Sequence, residues 1–175
     1  ASLHNLYGNE EAEWEALLRA YELSPNKQAI VLRLGTSAAN TNNFEAAASF
    51  AEKAFVLEPS NTDARMLYAF VLIRSGEEEK ANELLLGYPK VASDSRILAA
   101  YIQAGKHARA REMWELGVVG NEDNQDVMFK LASLYGEKVD LQRTRAEVQY
   151  VIEKYPWVRT IGEDILRQLV SISNP

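Results

Sequence analysis

Two prolines standing 34 positions apart, Pro25 in YELSPN and Pro59 in VLEPSN, constrain this chain more than any other feature. Each ends a run of helical periodicity, because proline offers no amide hydrogen and clashes with the turn before it. Each also follows an alanine five positions earlier, Ala20 and Ala54, and Tyr101 and Tyr135 repeat the same interval of 34. No series of short alternating Val/Ile/Thr runs with Asn-Gly or Asp-Gly turns is present, so strands are not expected. A repeat of this length built from helices points to stacked units, each able to bury its apolar stripe only against its neighbours.

Between the prolines the order is Val31, Leu34, Gly35, Ala38, then Ala47, Ala51 and Ala54. Alanines spaced by four and three lie on one face of a helix and leave almost no side chain there, so another helix must approach closely. Tyr68, Ala69, Leu72, Gly76, Ala81 and Leu85 fill the same slots in the next stretch, then Ile97, Leu98, Tyr101, Gly105, Ala110 and Trp114, then Leu131, Ala132, Tyr135, Ala146 and Tyr150. This order resembles the tetratricopeptide repeat, whose pattern is W-x2-L-G-x2-Y, then A-x3-F, then P. Leu34, Gly35, Ala47 and Pro59 match it by type, while Val31, Ala38 and Ala51 replace its large residues.

The resemblance implies an all-α fold, a right-handed superhelical solenoid of antiparallel helix pairs, as one domain over 1–175. Its expected units are about 27–60, 61–89, 90–123 and 124–156, after a partial first unit over 1–26 in which Gly8 falls at the turn between helices and half of the first helix is missing. The open face of that incomplete unit suits a fragment of a longer chain, or an oligomer joined there. Asn43 is expected to cap a second helix with its side-chain oxygen. Over about 159–173 a last helix is expected to cover the final unit, with Thr160 and Glu163 as a capping box and Ile161, Ile165, Leu166, Leu169 and Val170 as its stripe.

The balance of 19 Lys+Arg against 25 Asp+Glu gives a net charge of −6, which argues against a general electrostatic grip on nucleic acid. Cysteine is absent, which removes disulfides, thiolate metal sites and cysteine nucleophiles. The two histidines, His4 and His107, belong to no H-E-x-x-H pair and fall in distant repeats, and no phosphate loop, G-x-S-x-G elbow or calcium loop is present. Glu77, Glu78 and Glu79 open a helix, where carboxylates suit its dipole. Trp14, Trp114 and Trp157 read as core or cap residues. Neither an enzyme, a metal nor a cofactor is indicated, and no apolar run approaches the roughly 20 residues of a membrane span.

In tetratricopeptide arrays partners sit on the inner face, lined by the first helix of each unit. Carried over by the resemblance, the binding candidates are Leu32, Arg33 and Thr36, then Met66, Phe70, Ile73 and Arg74, then Arg96 and Ile102, then Phe129 and Lys130. The lysines and asparagines with which some such proteins clamp a terminal carboxylate are absent, since Leu32, Thr36 and Leu67 stand there. The face instead reads as an apolar groove flanked by cations, suited to a peptide or partner helix with apolar anchors and some acidic residues. The alternative is that Met66 and Phe70 pack against neighbouring first helices. A narrower resemblance, carried by ALLRAYELSPNKQAIVLRLG, YIQAGKHARAREMWE and EKYPWVRTIGEDILRQL, is to the soluble tails of bacterial O-antigen ligase and polymerase-like membrane proteins. It implies an extracytoplasmic tail that recruits or regulates surface-glycan machinery; without it the chain fits the cytoplasm equally well.

Overall fold

A computed structural model describes the backbone of residues 3–138 and 140–173 and the side chains of 11–138 and 140–170. It divides into two compact units, Ala1–Val91 and Ala92–Pro175. All regular structure among the described residues is helical.

The first unit holds α1 (Leu3–Leu23), α2 (Gln28–Asn40), α3 (Phe44–Leu57), α4 (Thr62–Ser75) and α5 (Glu78–Leu85). Consecutive helices pack together, and α2 also touches α4. Two of these helices start on a capping side chain: Asn43 accepts from the Ala46 amide at 3.2 Å, and Asn61 accepts from Asp63 and Ala64 at 2.9 and 3.1 Å. Gly76, at φ 83°, ends α4 in the left-handed region that glycine occupies without a Cβ penalty. Gly8 marks no turn, because α1 runs through it unbroken. His4 lies in α1, and its side chain falls outside the described residues.

The alanine seam is closed as its spacing requires. Ala47, Ala51 and Ala54 are fully buried, Ala54 beside Val31 and Ala64, and the other two in a cluster with Ala38, Ala39, Leu67 and Val71. A Cβ on Gly35 would lie 2.9 Å from Leu67 Cδ2 and 3.3 Å from the Ala51 amide nitrogen, so α2 and α3 approach as nearly as backbone allows. Larger rings border this seam, with Trp14 and Tyr21 each set edge-on to Phe50.

The short helix α6 (Pro89–Ala92) straddles the division between the units. The second unit contains α7 (Ser95–Gln103), α8 (His107–Val118), α9 (Gln125–Met128), α10 (Lys130–Glu137), α11 (Leu141–Lys154) and, after a 3-10 turn at Pro156–Val158, α12 (Arg159–Ser173). Its core is built on Trp114, Tyr101, Tyr135, Ile97, Leu98 and Met128, all essentially inaccessible. At the break between α9 and α10 the Trp114 indole donates to the Val127 carbonyl at 2.7 Å, fastening α8 to the end of α9.

α12 packs on α11 through Gly162, where a Cβ would lie 2.5 and 2.6 Å from two carbons of Ile152. Thr160 does not cap this helix. The 3-10 turn begun by Pro156 leads straight into Arg159, leaving Thr160 within the first helical turn. Trp157 is 61% exposed and joins no core, touching Tyr155 edge to face.

Candidate functional site

In the first unit the expected binding residues do gather on α2 and α4, but much of their apolar surface is already used. Leu32 and Phe70 are half-buried against the alanine cluster, and Ile73 is buried at 4% exposure. The expectation that Ile73 stands open is therefore corrected: Val71, Leu72 and Ile73 are all buried, so α4 is covered on more than one face. Met66 is half-buried. Arg33 is exposed and ion-paired with Glu13 of α1, and Thr36 is exposed with its hydroxyl donating back to the Leu32 carbonyl at 2.9 Å. The Arg74 guanidinium lies 5.1 Å from the centre of the Phe44 ring, a cation-π arrangement that orients it.

In the second unit Phe129 is likewise buried, at 8% exposure, because it sits at the break between α9 and α10 and turns inward. Lys130 donates to the Ser93 carbonyl at 3.1 Å, tying α10 to the segment before α7. Arg96 is exposed and held by Asp94 through Nε at 2.9 Å and Nη2 at 3.1 Å. Burial alone would raise the Asp94 carboxyl, but these bonds to Arg96 hold it below the ordinary value. Ile102 is half-buried.

Two polar groupings escaped the sequence reading. Arg65, 7% exposed, donates to the Leu84 carbonyl at 3.1 Å and the Pro59 carbonyl at 2.9 Å, so one guanidinium caps the ends of α3 and α5. It lies between the rings of Phe55 and Tyr88, 5.0 and 3.5 Å from their centres, with its Nε buried and unpaired. The second grouping is a ladder between α8 and α11. Arg111 grips Glu147 with two bonds of 2.6 and 3.1 Å, and Glu115 receives Lys154 at 2.7 Å together with the Tyr150 hydroxyl.

Bonding to Glu115 raises the Lys154 ammonium well above its usual range. Burial would push the Glu115 carboxyl up, but Lys154 and Tyr150 bring it down overall. One signal could have found these pairs: Arg111 and Glu147 are 36 positions apart and Glu115 and Tyr150 are 35, close to one repeat length, so they occupy neighbouring rungs of adjacent second helices.

None of these groupings places a nucleophile beside a base with an open position for substrate. Among the described residues no three His, Cys, Asp or Glu side chains converge as a metal site, and no helix is long and apolar enough to cross a membrane.

Residues 41–104 match the family model for the tetratricopeptide repeat. No curated protein sequence matches the chain. Among solved structures the fold is similar to a crystal structure of MamA, at 16% identity over 94% of both chains with a TM-score of 0.59, and to a second MamA structure at 16% identity, 89% and 88% coverage and 0.57. It is also similar to a tetratricopeptide repeat protein from Parabacteroides merdae, at 21% identity over 94% of this chain and 68% of that one, with a TM-score of 0.54. Helix pairs closed by a small-residue seam, the matched repeat and these neighbours agree: the chain has a tetratricopeptide-repeat fold, with a repeat of that family over residues 41–104.

Proposed function

We propose that this chain is a non-catalytic scaffold that holds an extended or helical peptide segment on its first helices. In the first unit the contacts are Leu32, Met66 and Phe70, with Arg33, Thr36 and Arg74 at their margin and Ile73 as the floor beneath. In the second unit Arg96, Ile102 and Lys130 take the same part, over Phe129. The observation that carries this reading is the half-buried state of Leu32, Met66 and Phe70. Part of each side chain is fixed by packing, and part remains to meet a partner without the entropic cost of ordering it. Partner segments with one or two apolar anchors and an acidic residue suit these groups.

The test is selection of a random peptide library on the purified chain, followed by titration of the recovered peptides against variants. Phe70→Ala and Met66→Ala should each weaken binding about tenfold, as expected for losing an anchor of roughly 1.4 kcal/mol. Glu163→Gln, on α12, should leave binding unchanged. Selected peptides that ignore both α4 variants would refute the assignment.

A further inference from the structure

The geometry points to an acid-sensitive latch in the second unit, in which the neutral imidazole of His107 accepts from the hydroxyl of Tyr135 to tie α8 to α10, and the tie weakens when the imidazole takes up a proton. His107 Nδ1 lies 2.9 Å from the Tyr135 hydroxyl oxygen, with the two ring centres 5.6 Å apart. Tyr135 is 1% exposed, so its hydroxyl hydrogen needs an acceptor inside the protein. Neutral His107 supplies one when its own hydrogen is on Nε2.

Protonation turns Nδ1 into a donor. The phenol oxygen can then accept, but its hydrogen loses the imidazole as acceptor, and a buried donor that must give up its partner is costly. The surroundings resist that protonation. Burial lowers the imidazole below its ordinary value of 6.5, and Arg143 adds to the effect, while Asp140 and Glu147 oppose it. His107 also opens α8, where the positive end of the helix dipole disfavours a cation.

The titratable and charged groups around it are these. From α11 and its cap come Asp140, Arg143 and Glu147; from α10, Tyr135; from its own helix, Arg111, engaged by Glu147. α7 brings the buried Tyr101 to the same end of its hairpin and keeps Arg96 at the far end. The sign follows directly. A base whose value is lowered by folding binds its proton more readily when unfolded, so the latch stabilises fully above about 6.5 and is lost as pH falls below that. Mild acid therefore weakens this tie between α8 and α10, the helix that also carries Lys130.

The experiment is a proton NMR titration of the full chain with thermal melts at pH 7.5 and 5.5. With two histidines in the sequence, His107→Asn identifies the resonances by their loss. His107 should titrate below the ordinary histidine value, and Tyr135→Phe should move it upward, since neutral imidazole then loses its donor. The wild-type melting temperature should drop between the two pH values by about 1–3 °C more than that of either variant, the size expected for one buried hydrogen bond. A midpoint at or above 6.5, a midpoint unmoved in Tyr135→Phe, or an equal pH dependence of melting in all three proteins would each overturn the latch. Should His107→Asn fail to fold, the wild-type titration and Tyr135→Phe still decide the matter.

Discussion

Gly162 offers the sharpest test of the principle that this fold is set by how closely its helices approach. Within a helix, replacing glycine by alanine ordinarily stabilises by about 1 kcal/mol, because glycine gives up more backbone freedom on folding. At Gly162 the new methyl would lie 2.5 and 2.6 Å from Cγ1 and Cδ1 of Ile152, about 1 Å inside ordinary contact, and 3.5 Å from Val148. Ile152 is β-branched with one strongly preferred rotamer in a helix, and it is 9% exposed, so it cannot swing aside freely.

Overpacking of this kind costs about 1–3 kcal/mol, against the 1 kcal/mol gained. Gly162→Ala should therefore be neutral to destabilising by about 2 kcal/mol. Gly136→Ala, where the nearest atom is Thr144 Oγ1 at 3.9 Å, should stabilise by about 0.5–1 kcal/mol. Urea melts followed by circular dichroism measure both. A double-mutant cycle isolates the cause: in an Ile152→Ala background the clash is gone, and Gly162→Ala should turn stabilising. If Gly162→Ala stabilises the wild type as much as Gly136→Ala does, or costs the same with and without the Ile152 side chain, close approach of α11 and α12 does not set this packing.

Arg65→Met keeps the side chain's bulk but strands the carbonyls of Pro59 and Leu84, and should lower stability by about 1–3 kcal/mol in the same urea assay; an unchanged midpoint would show that the guanidinium supplies no net capping. Glu115 has its carboxyl held below 4.5, so its contribution is complete above that value and is lost as pH falls through the lower folded value. Glu115→Gln should accordingly show a shallower loss of stability between pH 5 and 3 than the wild type, read by melting temperature, whereas identical acid curves would mean that the bonds from Lys154 and Tyr150 are offset elsewhere.

Periodicity within one helix is legible from sequence, and so the alanine seam, the proline stops and the Asn43 cap could all be placed in advance. What stayed hidden lies between helices. The charges of α8 and α11 look like solvated surface when each helix is read alone, yet Arg111 and Glu147 meet because they stand about one repeat apart on adjacent second helices. Arg65 reads as a surface cation for the same reason, although its partners are the carbonyls of two other helix ends. Thr160 fits the residue pattern of a capping box, but Pro156 starts a 3-10 turn whose hydrogen bonds bring Arg159 into the helix first, and local pattern cannot register that competition. Assigning the first-helix residues from the consensus placed Leu32 on α2 and Phe70 and Ile73 on α4 but misjudged the exposure of Ile73 and Phe129, since burial depends on the distance between helices as well as on the face.

That distance connects the seam to the face. With alanine and glycine where α2 meets α3, the first unit draws its helices together, and α2 comes within reach of α4. Large residues such as Leu32 and Phe70 then pack against the cluster beneath them instead of lining an empty trough. In the proposed reading a partner held there would meet half-buried apolar side chains with the partnered cations Arg33 and Arg74 at their margin, so its affinity would rest on a few anchors and on charge matching rather than on deep burial. Widening the seam should reverse this. Ala51→Leu, forced against Gly35 and Leu67, would push α2 from α3 at a cost of about 1–3 kcal/mol and expose Phe70, so a loss of stability accompanied by stronger capture of apolar peptides is the result this coupling requires.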